Sequence, residues 1–402
     1  MLRFGFYSAS YILAIRMLSS RISTRIVGPI ILLVFVLPVA SCRRPSNEEL
    51  LERAHARYEA GKYDQVIDIC DRILITDPDN AFVLLVRGQA NENLGSYAPA
   101  IDDYSRVLEI DSGNFDALSG RGRCYFNVND PESVIDDLTR AIELNPESVE
   151  TYGLRGKAYR RLGEMELAIS DFNRAIELDP DYAAAYGNRA NVYHDMGDFD
   201  RALEDYSKTI EVDPDNGYGY LGLGTLYWDM GEYQLALENC NRAVELMPDS
   251  DVAYYNRGLC HESLGEFGLA MADYNTADSL GTALPKVYYH RGNVNREFGN
   301  YDLAITDCER ALEMDPDSAL AFYYRGLTYI DMGQYTNALS DLTVALDIDA
   351  DLESAYYYRG LVNMAMGNVD EAIADLEKAL EYRPDSESTL EKLEEARRLK
   401  GP

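Results

Sequence analysis

A glycine recurs every 34 residues along most of this 402-residue chain, and that period constrains the fold more than any other feature. Glycine, and asparagine after it, are the residues that most easily adopt the left-handed turn at the end of a helix. A proline closes most of the repeats, where it stops the preceding helix. The period therefore predicts tandem repeats of two helices each. The turn residues are Gly61, Gly95, Asn129, Gly163, Gly197, Gly231, Gly265, Gly299, Gly333 and Gly367.

A small residue stands at the eighth position of the first helix in every repeat. Glycine inside a helix costs about 1 kcal/mol relative to alanine, so its recurrence predicts that the two helices of a repeat pack closely at this point. The repeat pattern is least regular at 276–286, where the closing proline is displaced to Pro285. A local change of superhelical twist is expected there. The small residues are Ala54, Gly88, Gly122, Gly156, Ala190, Gly224, Gly258, Gly292, Gly326 and Gly360.

The repeat resembles the tetratricopeptide repeat (TPR) family, as in the run AYYNRGL at 253–259 with its later glycine and alanine. The resemblance covers residues 47–386 as ten repeats of 34 residues. It implies an all-α, right-handed superhelical solenoid whose first helices line a concave groove that binds protein segments. The polar stretch 387–402 is predicted to form a capping helix, because the last repeat of a solenoid would otherwise expose apolar surface.

The amino-terminal segment resembles a bacterial lipoprotein signal peptide. Residues 26–40 form an apolar run of fifteen, shorter than the roughly 20 residues that a membrane-spanning helix needs. Arginines precede the run, and Val39-Ala40-Ser41-Cys42 follows it as a lipobox-like tetrapeptide. We expect residues 1–41 to be removed, with Met17 as a possible true start, Cys42 to carry the lipid, and residues 42–46 to form a lipidated linker. An uncleaved anchor is the alternative.

This signal predicts that the protein is lipid-anchored in the bacterial cell envelope and faces the periplasm or the exterior. Arg43 follows the cysteine, where lipoproteins kept at the inner membrane of Gram-negative bacteria usually have aspartate, and this favours the outer membrane in such an organism. The net charge of −32 repels nucleic acid, so no nucleic-acid partner is expected. The acidic surface either attracts a basic partner or only solvates an elongated protein.

An arginine precedes the eighth position in nine repeats, and an aspartate stands sixteen residues later in eight of them. The sixth repeat has Leu223 and Asn239 at these places and so lacks both charges. This joint loss predicts ion pairs within a repeat, although the regular spacing is also compatible with a phosphate-binding surface. Such partly buried pairs add little net stability but penalise wrong registers.

The resemblance to the TPR family implies that the second, fifth, ninth, twelfth and thirteenth positions of each first helix point into the groove. Partner binding is therefore predicted at a tyrosine series with leucines beside it, and at two residues of the middle repeats. For the tyrosines, packing between adjacent repeats is an equally open interpretation. The predicted partner-binding residues are Tyr255, Tyr289, Tyr323, Tyr357, Leu259, Leu327, Leu361, Trp228 and Arg160.

No combination of residues has the spacing of a catalytic triad, a metal site or a phosphate-binding loop. The five cysteines after Cys42 fall at core positions and are predicted to be buried, and the four histidines occupy four different repeat positions. The sequence thus predicts a protein without cofactor, metal or enzymatic activity. A membrane-anchored scaffold that binds a protein or peptide partner is favoured. A non-catalytic subunit of an envelope enzyme complex and a self-assembling array are the alternatives.

Overall fold

The computed structural model describes residues 46–401, and this part of the chain contains helices and no strands. The predicted signal segment 1–41 and Cys42 lie outside the described residues. The chain divides into a unit Met1–Leu50 and a unit Leu51–Pro402, and the repeat packing below belongs to the second unit. No helix among residues 46–401 is both long enough and apolar enough to cross a membrane.

Each repeat consists of a first helix followed by a second helix, and this order is kept in all ten repeats. The structure therefore confirms the predicted all-α tandem array. The first helices of the ten repeats are α1 (Asn47–Glu59), α3 (Ala81–Asn93), α5 (Phe115–Asn127), α7 (Val149–Arg161), α9 (Ala183–Asp195), α11 (Gly217–Asp229), α13 (Asp251–Ser263), α15 (Pro285–Glu297), α17 (Ala319–Asp331) and α19 (Glu353–Met366). The second helices are α2 (Tyr63–Leu74), α4 (Tyr97–Ile110), α6 (Pro131–Leu144), α8 (Met165–Leu178), α10 (Phe199–Val212), α12 (Tyr233–Leu246), α14 (Phe267–Ser279), α16 (Tyr301–Met314), α18 (Tyr335–Ile348) and α20 (Val369–Tyr382). A final helix, α21 (Glu387–Lys400), follows them.

The turns between the two helices of each repeat have the predicted backbone conformation. Every recurring glycine of the turn series has a positive φ, and Asn129 is the one non-glycine residue of 46–401 that does, with φ 62°. At the irregular register, α14 ends at Ser279 and a further left-handed residue, Gly281, turns the chain. Pro285 stands in the first turn of α15, where its missing N–H has no helical partner to lose. The proline there starts a helix rather than closing one.

The small residues of the first helices face large side chains of the second helices. A Cβ atom placed on Gly88 would lie 2.9 Å from the Tyr104 ring, and one on Gly258 would lie 2.6 Å from the Tyr274 ring. Both tyrosines have no exposed surface. Burial of such a side chain stabilises a fold by about 1.5–3 kcal/mol, which outweighs the helix propensity that glycine loses.

In the second unit of the chain, the first helices of successive repeats contact one another, whereas the second helices of successive repeats do not make comparable contacts. Each second helix packs against the next first helix, and α3 also contacts α5, as α9 contacts α11 and α15 contacts α17. No comparable contact joins two second helices anywhere in residues 51–401. A stack that is tighter along one row curves towards that row, so the first helices lie on the inner side. At the carboxyl end, α21 covers the last repeat, where Leu393 packs against Leu376.

Candidate partner-binding face

We call the surface formed by the second, fifth, ninth, twelfth and thirteenth positions of the first helices the first-helix face; these are the positions that the sequence predicted to line the groove. An arginine–aspartate series lies beside it and fixes the two helices of each repeat. In each pair the arginine donates through Nε and Nη2 to the two aspartate oxygens, with Nη2–Oδ1 distances of 2.6–2.9 Å. The aspartates are only 2–7% exposed. The pairs are Arg87–Asp103, Arg121–Asp137, Arg155–Asp171, Arg189–Asp205, Arg257–Asp273, Arg291–Asp307, Arg325–Asp341 and Arg359–Asp375.

These contacts confirm the predicted pairing within a repeat, and they add a link between repeats that the sequence did not indicate. In six of the eight pairs the third nitrogen, Nη1, donates backward to the second helix of the preceding repeat. Arg155 Nη1 lies 3.0 Å from Thr139 Oγ1, and Arg121 Nη1 lies 2.9 Å from Ser105 Oγ. Because their donors are used in this way, these arginines position helices.

A cross-repeat ladder runs along the carboxyl ends of the first helices. The residue at the twelfth position of one repeat bonds to the thirteenth position of the next, 35 residues later. Arg160 Nε lies 2.6 Å from Asp195 Oδ2, Trp228 Nε1 donates to Ser263 Oγ at 2.9 Å, and Arg296 Nη1 lies 2.7 Å from Asp331 Oδ2. His194 Nε2, 2.6 Å from Asp229 Oδ2, belongs to the same ladder.

Two predicted binding residues, Arg160 and Trp228, are members of this ladder. The Arg160 side chain is 37% exposed, and Trp228 is half-buried. Both therefore retain surface that a partner can contact, although their polar groups are already bonded to the next repeat. Their role in partner binding stays a prediction.

The tyrosine series is largely enclosed by its neighbours. Tyr255, Tyr289 and Tyr323 are 4%, 8% and 9% exposed, whereas Tyr357 is half-buried. Burial raises the pKa of the Tyr289 hydroxyl to about 12, and it also raises the pKa of Tyr255 and Tyr323. The leucines beside them differ, because Leu327 is 7% exposed while Leu259 and Leu361 are half-buried.

The residue at the sixth position of the next repeat covers each of these rings. The Tyr255 ring centroid lies 5.9 Å from that of His290, Tyr289 lies 5.7 Å from Tyr324, and Tyr323 lies 6.1 Å from Tyr358. These contacts are the inter-repeat packing that the sequence left open as an alternative. Whether the exposed edges of the rings also bind a partner stays a prediction.

A buried carboxylate cluster lies inside this aromatic region, and sequence reasoning missed it. Glu262 accepts hydrogen bonds from Tyr274 Oη at 2.6 Å and from Asn293 Nδ2 at 2.7 Å, and His290 Nδ1 lies 3.1 Å away. Burial alone would raise the pKa of Glu262, but the contact with His290 and the other hydrogen bonds hold it below its usual value. The carboxylate therefore stays charged and organises the groups around it.

All five cysteines of residues 46–401 are buried free thiols, as predicted. Cys240 on α12 and Cys260 on α13 are nevertheless neighbours, with a Sγ–Sγ distance of 3.8 Å. The repeat period does not indicate this contact, because the two cysteines are 20 residues apart and occupy different positions of adjacent repeats. Residues 46–401 contain no group of three or more His, Cys, Asp and Glu side chains that could hold a metal ion.

The fold and the first-helix face define a helical-repeat solenoid. Models described as tetratricopeptide repeat match residues 183–216, 285–318 and 354–386, residues 51–115 and 221–285, and residues 308–340. A model described as TPR repeat matches residues 156–197 and 326–367. Together the matched stretches cover well over half of the chain. The chain therefore belongs to the tetratricopeptide repeat family.

One of the solved structures that align with the chain shares its overall fold. The APC/C hetero-tetramer Cut9-Hcn1 aligns with a TM-score of 0.59 and 17% identity, covering 87% of this chain and 90% of that chain, which shows the common fold. MamA is 32% identical over 40% of this chain and 94% of its own length, with a TM-score of 0.37. YrrB, titled a TPR protein with an unusual peptide-binding site, is 24% identical over 46% of this chain and 96% of its own, with a TM-score of 0.35. No curated protein matches the chain.

Proposed function

We propose that this protein is a non-catalytic scaffold that binds a segment of a partner protein along the first-helix face. The observation that carries the proposal is the continuity of that face, because successive first helices contact one another. An extended segment or a helix can therefore contact several repeats at once, which is how solenoids use their concave surfaces. The titratable groups at this face are engaged in contacts between repeats, which suits a scaffold better than a catalyst. The contacts are His194–Asp229, His290–Glu262 and Arg296–Asp331.

The half-buried residues of the face are the best candidates for direct contact. Trp228 and Leu361 both combine apolar surface with partial exposure. Tryptophan is among the residues that supply most of the affinity in protein interfaces. The tyrosine series contributes mainly by shaping the surface beneath a partner. Substitution of Tyr289 and Tyr323 by alanine distinguishes these roles, because a packing role predicts a large loss of stability and a binding role predicts loss of partner capture.

Photo-crosslinking tests the scaffold proposal. A photoreactive residue is introduced at Trp228 or Leu361, and in a matched control at Leu303, which is 57% exposed on the second helix α16. We expect the first-helix positions to capture one distinct protein and the control position to capture none. Equal capture from Leu303, or capture only of other copies of the chain, would contradict the proposal, and the second result would favour a self-assembling array.

We propose further that lipid on Cys42 holds the scaffold at a bacterial membrane. The support is the lipobox-like tetrapeptide Val39-Ala40-Ser41-Cys42 after an apolar run that is short for a membrane span. The anchor would place the repeats at the membrane surface in the cell envelope, where the groove meets other envelope proteins.

A further inference from the structure

Two core positions meet where one repeat packs against the next. The twenty-fourth position of one repeat contacts the tenth position of the following repeat, 20 residues later, and at several junctions both hold apolar side chains of one buried cluster. Examples are Leu138–Ala158, Phe172–Val192 and Leu342–Val362. Between the sixth and seventh repeats the two positions hold Cys240 and Cys260. Within residues 46–401 this is the one junction that has cysteine at both positions.

The two thiols are in direct contact. Cys260 Sγ donates to Cys240 Sγ at 3.8 Å, and the two residues are 1% and 0% exposed. Gly224 on α11 leaves room for the Cys240 sulfur, because a Cβ atom placed on this glycine would lie 2.5 Å from it. A disulfide bond is about 2.0 Å long, so the sulfurs need to approach each other by about 1.8 Å. The pair is therefore within reach of a disulfide bond.

The same junction has the weakest polar link of its kind. The sixth repeat has Leu223 and Asn239 in place of the arginine–aspartate pair. The backward link from the seventh repeat, Arg257 Nη1 to Asn241 Oδ1, is 3.4 Å long, whereas the five corresponding links measure 2.5–3.1 Å. Hydrogen bonds of that length are weak. A covalent bond between α12 and α13 would join the two helices that this link holds poorly.

We propose that Cys240 and Cys260 are a modification site, at which a disulfide bond joins the sixth and seventh repeats under oxidising conditions. The oxidant is a disulfide compound. The thiolate of one cysteine attacks the oxidant and releases its first thiolate, and the second cysteine then attacks the mixed disulfide and releases the other. Two electrons pass to the oxidant, and the two cysteine protons end on the released thiols. The structure holds the reduced state.

Burial determines when this reaction can take place. The hydrogen bond from Cys260, together with burial, raises the pKa of the Cys240 thiol. Because the thiolate is the nucleophile, the folded pair reacts slowly. The bond therefore forms during folding, or when α12 and α13 open locally. An envelope location, as proposed above, would supply the oxidising conditions.

The bond would fix the first-helix face beside Trp228. The Trp228 ring packs against the apolar cluster that contains both cysteines, and its Nε1 donates to Ser263 on α13. A bond between α12 and α13 limits the movement of the helices beneath this ring. Trp228 is also the single tryptophan of the chain, so its fluorescence reports on this junction.

Refolding of the full chain in a glutathione redox buffer tests the site, because unfolded thiols are accessible to the oxidant. Free thiols are then blocked with N-ethylmaleimide in guanidinium, and peptide mass spectrometry identifies the bonds. We expect a Cys240–Cys260 bond that persists in about a tenfold excess of reduced glutathione. Compared with the reduced chain, hydrogen exchange in peptides of α12 and α13 should slow at least about tenfold. Trp228 fluorescence should fall, because a disulfide quenches a nearby indole.

Two single variants provide the matched comparison. C260A should show neither the bond nor the slower exchange, and it should keep the fold, because Ala90 and Ala158 occupy this position elsewhere without exposed surface. C308A removes a cysteine from the same position as Cys240, but there Thr328 stands in place of the second cysteine, so this variant should behave like the unmodified sequence.

Free thiols at both Cys240 and Cys260 after refolding would overturn the site. Glutathione bound to either one without closure, or bonds from them to other cysteines, would overturn it equally. The refolding assay needs neither a partner nor the lipid anchor. Its failure would therefore leave the scaffold function standing, and the crosslinking experiment tests that function separately.

Discussion

The Arg155–Asp171 pair offers the sharpest test of how a repeat is held together. Arg155 donates to Asp171 through Nε and Nη2, both at 2.8 Å, and Asp171 is 5% exposed. The substitution Arg155→Leu leaves a buried carboxylate without its partner, and Asp171→Asn leaves the guanidinium without its counter-charge. The double variant reproduces the combination that the sixth repeat already has in Leu223 and Asn239.

The expected magnitudes follow from this geometry. Removal of one member of a buried ion pair costs about 3–5 kcal/mol, and the 15% exposure of the Arg155 side chain places both single variants near the lower value. The double variant leaves no uncompensated charge, and Leu223 shows that leucine packs at this position with 7% exposure. We therefore expect the double variant to lose less than the sum of the single losses, by at least ~1 kcal/mol.

Hydrogen exchange measured by mass spectrometry is the suitable assay, because repeat arrays open locally and a single global free energy of unfolding does not describe them. The free energy of opening is read from peptides of α7 and α8 in the four members of the cycle. Arg174→Leu serves as control, because Arg174 forms an exposed pair with Glu177 on one helix, and it should leave protection unchanged. Strict additivity of the two single variants would refute the pairing argument.

Three further predictions follow from individual contacts. Gly258→Ala should lower the melting temperature, because its Cβ would lie 2.6 Å from the Tyr274 ring, whereas Gly268→Ala should raise it slightly, because nothing lies within 4 Å there. The free energy of unfolding should fall as the pH rises from 10 to about 12, because burial raises the pKa of Tyr289 and the folded state keeps its hydroxyl protonated while the unfolded state loses the proton. Tyr289→Phe should reduce this pH dependence, measured by urea titration. Cys42→Ser should abolish labelling by radioactive palmitate, and unchanged labelling would refute the lipid anchor.

The helical array could be predicted because each of its elements has a local signal. The recurring glycines and Asn129 specify the left-handed turns, and the helix period between them has no competing strand pattern. The arginine–aspartate pairing was predictable for a different reason, since the sixth repeat loses both residues together. The irregular repeat pattern at 276–286 could also be recognised in the sequence. The role of Pro285 could not, because proline is common both in the first turn of a helix and just after the end of one.

The site was less predictable because it depends on contacts between repeats. Whether Tyr289 faces a partner or the interior is decided by Tyr324 in the next repeat, which covers its ring. The cross-repeat ladder joins residues 35 apart, one more than the period, so an alignment of equal positions does not show it. Residue pairs at a spacing of 35 would have revealed the ladder.

The unequal packing of the two helix rows has a mechanical consequence. Within residues 51–401 the first helices contact one another and the second helices make no comparable contact, so bending the array changes mainly the spacing of the outer row. The row of first helices therefore resists changes in length more than the row of second helices, and the array bends elastically about its inner surface. Its radius of curvature can adjust to the thickness of what it holds, at little elastic energy, while the local geometry of each repeat stays constant.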